Sequence, residues 1–87
     1  MYNGTGRANI GLVAGGRGSV VIVRFDSYLP SLRSELRAGK AWEIVMEVLA
    51  QTDVHHVRCI ALTDIPPNRK SLRPVYDDSP RNYAWRG

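Results

Sequence analysis

Apolar residues fall along this chain in a few short runs separated by glycine, proline and charge. The run 9–14 (NIGLVA) is apolar, 15–18 (GGRG) is a turn signal, and 19–25 (SVVIVRF) is dense in β-branched residues. Two such runs about a glycine turn predict a β-hairpin. Asp26 and Ser27 then offer capping oxygens and Pro30 suits a first helical turn. Leu29, Leu32 and Leu36 follow at i, i+3 and i+7, one face of a short helix. Over 40–52, Ala41, Ile44, Val45, Val48 and Leu49 share one side of a helical wheel, with Lys40, Glu43, Glu47 and Gln51 opposite, which predicts a second, amphipathic helix. The two apolar faces are out of phase, so a break is placed at Gly39, with a single kinked helix as the alternative. Residues 54–63 (VHHVRCIALT) read as a third strand, stopped by DIPP at 64–67, because proline cannot donate to a ladder.

The segment 64–87 holds four of the five prolines and little periodicity. At most 71–77 (SLRPVYD) adds a short edge strand. The expected organisation is one small domain over 1–65, with 1–8 a flexible lead-in, and a Pro/Arg/aromatic C-terminal arm over 66–87. The expected fold class is α+β: a two-layer ββαβ sandwich with a three-stranded, mostly antiparallel sheet in the order 2-1-3. A helical layer covers one face, and the proline-rich tail is extended. Val21, Val23 and Phe25 point to one side of the second strand, and Val20, Ile22 and Arg24 to the other. Both sides are largely apolar, and one helical layer covers only one. The uncovered face therefore implies a cover: the tail, a homodimer partner or another protein.

Composition sharpens this picture modestly. A chain of 87 residues with 44% hydrophobic residues suits one globular domain. The net charge of +4 comes from ten Arg and two Lys against eight acids, and favours an anionic partner, either an acidic protein surface or nucleic acid. Arginine bias also follows codon usage. The single cysteine, Cys59, permits no internal disulfide, which suits a reducing, cytoplasmic setting. No apolar stretch approaches ~20 residues, so no membrane span is expected, and the N-terminus lacks a signal-peptide core.

Catalytic and metal chemistry find little support. The glycine clusters precede a strand rather than a helix and match neither phosphate-loop spacing. His55 and His56 are adjacent, so a strand points them to opposite faces, away from a common metal. His55 and Cys59 share a face but lie about 13 Å apart along a strand, beyond hydrogen-bond reach. Glu43 and Glu47 fit a solvated helix face. No enzyme activity, metal or cofactor is expected.

The candidate contact residues are Arg17 at the hairpin tip, and Arg69, Lys70, Arg73, Tyr76, Arg81, Tyr83 and Trp85 in the tail. Arginine and lysine contact phosphates and aromatics stack on bases. Tyr, Trp and Arg are also the residues of protein-interface hot spots. Anchoring of the tail aromatics onto the chain's own sheet is an equal alternative. The reading is therefore a small non-catalytic protein that regulates or inhibits a larger protein assembly through its sheet face, hairpin tip and arm. The alternative is a nucleic-acid-binding module. Small basic chains of this class are common among phage and mobile-element regulators, an association of fold class alone.

Overall fold

The computed structural model describes residues 9–39, 41–66, 72 and 74–77. Six strands account for its regular structure: β1 (Ile10–Arg17), β2 (Val20–Phe25), β3 (Glu35–Ala38), β4 (Ile44–Gln51), β5 (His56–Ala61) and β6 (Val75–Asp77). They close into a barrel in the order β1-β2-β5-β4-β3-β6. Every neighbouring pair is antiparallel.

The architecture overturns the expected α+β sandwich: the described residues contain no α-helix, and the sheet is closed. The hairpin forms as anticipated, with Gly18 and Ser19 at its turn. Gly16 lies so close to the backbone of Val20 and Val21 that a Cβ there has no space, and its φ of 141° lies outside the range L side chains favour. The third expected strand also forms, as β5, but it pairs antiparallel with β2 rather than with β1. The reason lies between them. Segments 27–39 and 40–52 hold β3 and β4, two strands that reverse the chain where a helical crossover was expected.

Local pattern explains the misreading. Ile44, Val45, Val48 and Leu49 fit a helical stripe, but the strand buries Ile44, Met46 and Val48 and turns Val45 and Glu47 outward. Met46 decides between the two readings: it lies off the helical stripe, yet it is fully buried. Leu49 falls at a register shift between Val48 and Ala50, which breaks the strict alternation and mimics a helical repeat. In β3, Leu36 and Ala38 point inward, while Glu35 and Arg37 point outward and pair at 2.7 Å. Leu32, assigned to the inner face of a helix, is 56% exposed.

Inward residues from all these strands fill the barrel. Val21, Val23 and Phe25 of β2 meet Leu36, Met46, Val48, Val57, Cys59 and Val75 in one buried cluster. A barrel of so few strands has an interior just wide enough for its own side chains. The apolar inner face is thus covered by the barrel's own strands, and it needs neither the tail nor a homodimer partner to cover it. The outer wall keeps half-buried aliphatics, Val20, Ile22 and Ile60, among charged neighbours.

β6 lies inside the 66–87 segment set apart as an arm. It pairs with β1 through Ile10–Tyr76 and Gly11–Val75, and with β3 through Leu36–Asp77, Arg37–Tyr76 and Ala38–Val75. Leu72, just before it, is fully buried in the central cluster. The register also defines two ends. One end gathers the start of β1, the loop 26–34, the β4–β5 turn at 52–55 and the last residue of β6. The other gathers the β1–β2 turn, the β3–β4 connection and the end of β5.

Two consequences are measurable. Leu72→Ala is expected to cost about 2–5 kcal/mol in urea unfolding, the range for a buried leucine; a cost near zero would place this residue outside the core. Cys59 is fully buried, and burial pushes its thiol up to about 12. Thiol reagents at pH 8 are expected to modify it at the rate of global unfolding, with fast modification only in denaturant.

Candidate functional site

Among the described residues, the barrel interior is filled by apolar side chains and the Cys59 thiol, and the sequence-predicted candidates that the structure describes lie on the outside. Arg17, expected at the hairpin tip, is exposed at the end of β1 and makes no ion pair with any described residue. Tyr76 sits at the opposite end of β1, opposite Ile10. Ile10 and Arg17 are the two ends of β1, on the order of 20 Å apart, so these two candidates do not share a site. Arg69, Lys70, Arg73, Arg81, Tyr83 and Trp85 lie outside the described residues.

Tyr76 instead anchors structure. Its ring stacks on Trp42 with centroids 4.2 Å apart and planes 12° from parallel. Such a stack contributes roughly 0.5–1.5 kcal/mol beyond its area. Trp42 has a left-handed backbone, φ 58°, which costs on the order of 1–3 kcal/mol for a non-glycine residue. Two hydrogen bonds hold it there: its N–H donates to Gly39 O at 3.2 Å, and Arg37 Nη1 donates to its carbonyl at 3.5 Å. The β3–β4 connection is thereby clamped over the short closing strand. Trp42 carried no signal in the sequence, because it belongs to no periodic run.

Charges on the wall are mostly answered locally. Glu35 and Glu47 stand directly opposite each other across β3 and β4, an unfavourable pairing if left alone. Arg37 neutralises the first at 2.7 Å, and Arg33 lies 3.8 Å from the second. Arg24 pairs with Asp26 at 3.0 Å. Arg58, in register with Ile22 and Ala50, is exposed and makes no ion pair with any described residue.

The two histidines serve the β4–β5 turn. Asp53 Oδ1 accepts from the backbone N–H groups of His55 at 2.8 Å and His56 at 2.9 Å, and lies 2.9 Å from His56 Nδ1. The Thr52 N–H and hydroxyl both donate to His56 O. His55 Nδ1 lies 3.3 Å from Phe25 O. No group of three or more metal-ligating side chains gathers among the described residues.

The Asp53 carboxyl is held below the ordinary range, chiefly by the His55 N–H and then by the His56 side chain. A depressed folded-state pKa stabilises above the ordinary carboxylate value, and the benefit disappears as pH falls through the folded value. Asp53→Asn is therefore expected to be less stable than the wild type at neutral pH. The gap should close as pH drops below about 4, measured by thermal unfolding across pH; a gap independent of pH would contradict a charge-based role.

No protein-family profile matches the chain, and no solved structure matches it. Curated proteins do. The chain is 57% identical over 54 residues to ATP synthase subunit beta 2 of Nitrosospira multiformis, covering 62% of this chain and 12% of that protein. It is 56% identical over 63 residues to the same-named subunit of Albidiferax ferrireducens, covering 72% and 12%. For that of Polaromonas naphthalenivorans the identity is 54% over 69 residues, covering 79% and 14%. The chain thus spans about an eighth of the length of these relatives. These relatives are components of an enzyme complex, and they overturn the reading of a small phage-type regulator or inhibitor as well as that of a nucleic-acid-binding module. Neither homodimerisation nor nucleic-acid binding finds support in them. The chain is similar to a segment of ATP synthase beta subunits.

Proposed function

We propose that this chain is the N-terminal-type barrel of an ATP synthase beta-subunit-like protein, a non-catalytic module that helps seat the subunit among its neighbours. The observation that carries this reading is the coincidence of two facts. The chain is more than half identical to beta subunits over 54 to 69 residues, and its described residues form a closed barrel around a filled apolar core. Such a core offers no cleft with convergent titratable groups for chemistry. The thiol in it, Cys59, is kept protonated by burial. What remains is a rigid body with a patterned exterior, suited to contact. Arg17 and Arg58, exposed and without an ion-pair partner among the described residues, supply cations for carboxylates on adjoining subunits.

The test replaces the homologous segment of the Nitrosospira multiformis beta subunit with this chain and expresses it with the other subunits of that synthase. The hybrid is expected to co-purify with them, and the isolated 87-residue chain to hydrolyse no ATP. A hybrid that folds but stays free of the complex would refute the reading.

A further inference from the structure

Among the six strands, β1 adds least to the interior. The buried cluster takes side chains from β2, β3, β4, β5 and β6 and from Leu72, but none from β1. The inward positions of β1, opposite Phe25, Val23 and Val21, are Gly11, Val13 and Gly16. Two of these have no side chain, and a Cβ at Gly11 would meet Phe25 and Val23 at 2.8 Å. Val13 is partly buried against the cluster, while Ile10 and Leu12 are exposed. Apolar burial is a main force holding a strand to its core, so β1 depends chiefly on its ladder with β2.

The two sides of β6 are unequally fastened. Toward β1 it has two register pairs, Ile10–Tyr76 and Gly11–Val75, and past Gly11 that side of β1 has no ladder partner among the described residues. Two neighbours of β6 account for this. Pro74 has no N–H to give to a ladder, and Leu72 is drawn into the core. Across this seam Asp77 N–H donates to Asn9 O at 3.0 Å, and Asn9 Nδ2 lies at a longer 3.5 Å from Asp77 Oδ2. Toward β3 the strand has three pairs, Leu36–Asp77, Arg37–Tyr76 and Ala38–Val75. There the Trp42 ring, on the connection that leaves β3, also stacks on Tyr76, and Arg37 Nη1 donates to the Trp42 carbonyl.

We propose that the barrel carries a built-in seam between β1 and β6, which parts ahead of global unfolding while Trp42 latches β6 to β3. The other five ladders stay formed, so parting leaves the strand order unchanged and turns β1 and β6 into its two edges. The seam belongs to the barrel itself, independently of the assembly role proposed above.

Backbone alternation lets adjacent amides report on the two sides of β6. Asp77 bonds toward β1, through Asn9 O. Leu62 N–H donates to Val45 O, so Val45 bonds toward β5. Arg37, opposite Val45, therefore bonds toward β6, where its partner is Tyr76. Native-state amide exchange of the 87-residue chain, resolved by NMR and corrected for intrinsic rates, reads both. The Asp77 amide is expected to exchange on the order of 10-fold faster than that of Tyr76, with little dependence on dilute urea. Amides between β2 and β5 should exchange slowest and respond fully to urea. Trp42→Ala should bring Tyr76 up to the Asp77 rate, and Trp42→Phe, which keeps a ring for the stack, should hold it near the wild-type rate. Equal rates at 76 and 77 in the wild type, slower exchange at 77, or unchanged protection of Tyr76 in Trp42→Ala would each overturn the proposal. Should Trp42→Ala fail to fold, the wild-type rates still decide the seam, and Trp42→Leu, which keeps bulk without the stack, decides the latch.

Discussion

Closure of the sheet by β6 is the contact on which the other features depend. Only three residues, Val75–Asp77, bridge β1 and β3, yet without them both of those strands would be edges with unsatisfied backbone groups. The closing strand is too short to hold itself by ladder bonds. It is reinforced from inside by Val75 and the neighbouring Leu72, both fully buried. From outside it is reinforced by the Tyr76–Trp42 stack. The left-handed backbone at Trp42 is tolerable because this contact and two hydrogen bonds offset it.

Closure then dictates the division of labour between inside and outside. A six-stranded barrel has room for its own side chains and no more, so the interior carries stability and the exterior carries recognition. Strand alternation enforces this residue by residue: Val21, Val23 and Phe25 inward, Val20, Ile22 and Arg24 outward. The same alternation brings Glu35 opposite Glu47, and the nearby arginines relieve the repulsion. Arg58, in the middle of the wall, finds no such counter-ion among the described residues.

The two ends of the barrel differ for a topological reason. Six antiparallel strands send the start of β1 and the end of β6 to the same end, because an even number of alternating strands returns the chain to where it began. That end also carries the long loop 26–34 and the pinned 52–55 turn, and with them most of the exposed aliphatic side chains. The polar bonding of Asp53, Thr52 and the histidines is what lets an apolar tip such as Val54 stand in solvent without collapsing onto the wall.

Local chemistry settled part of this in advance. The glycine turn between two apolar runs gave the hairpin, and the apolar run within 54–63, stopped by prolines, gave β5. The short strand suspected within 71–77 is β6. What the sequence left undecided was 35–38 and 44–51, where apolar pairs at 44–45 and 48–49 satisfy a helical period and a bulged strand alike. Met46 breaks that tie only when the strands that surround it are known. Helical hydrogen bonds would have been local, whereas β3 and β4 draw partners from β6 and β5, with Leu36 reaching as far along the chain as Asp77. Non-local pairing has no signature in a single segment, so tertiary structure alone decided that the middle of the chain is sheet and that the sheet is closed.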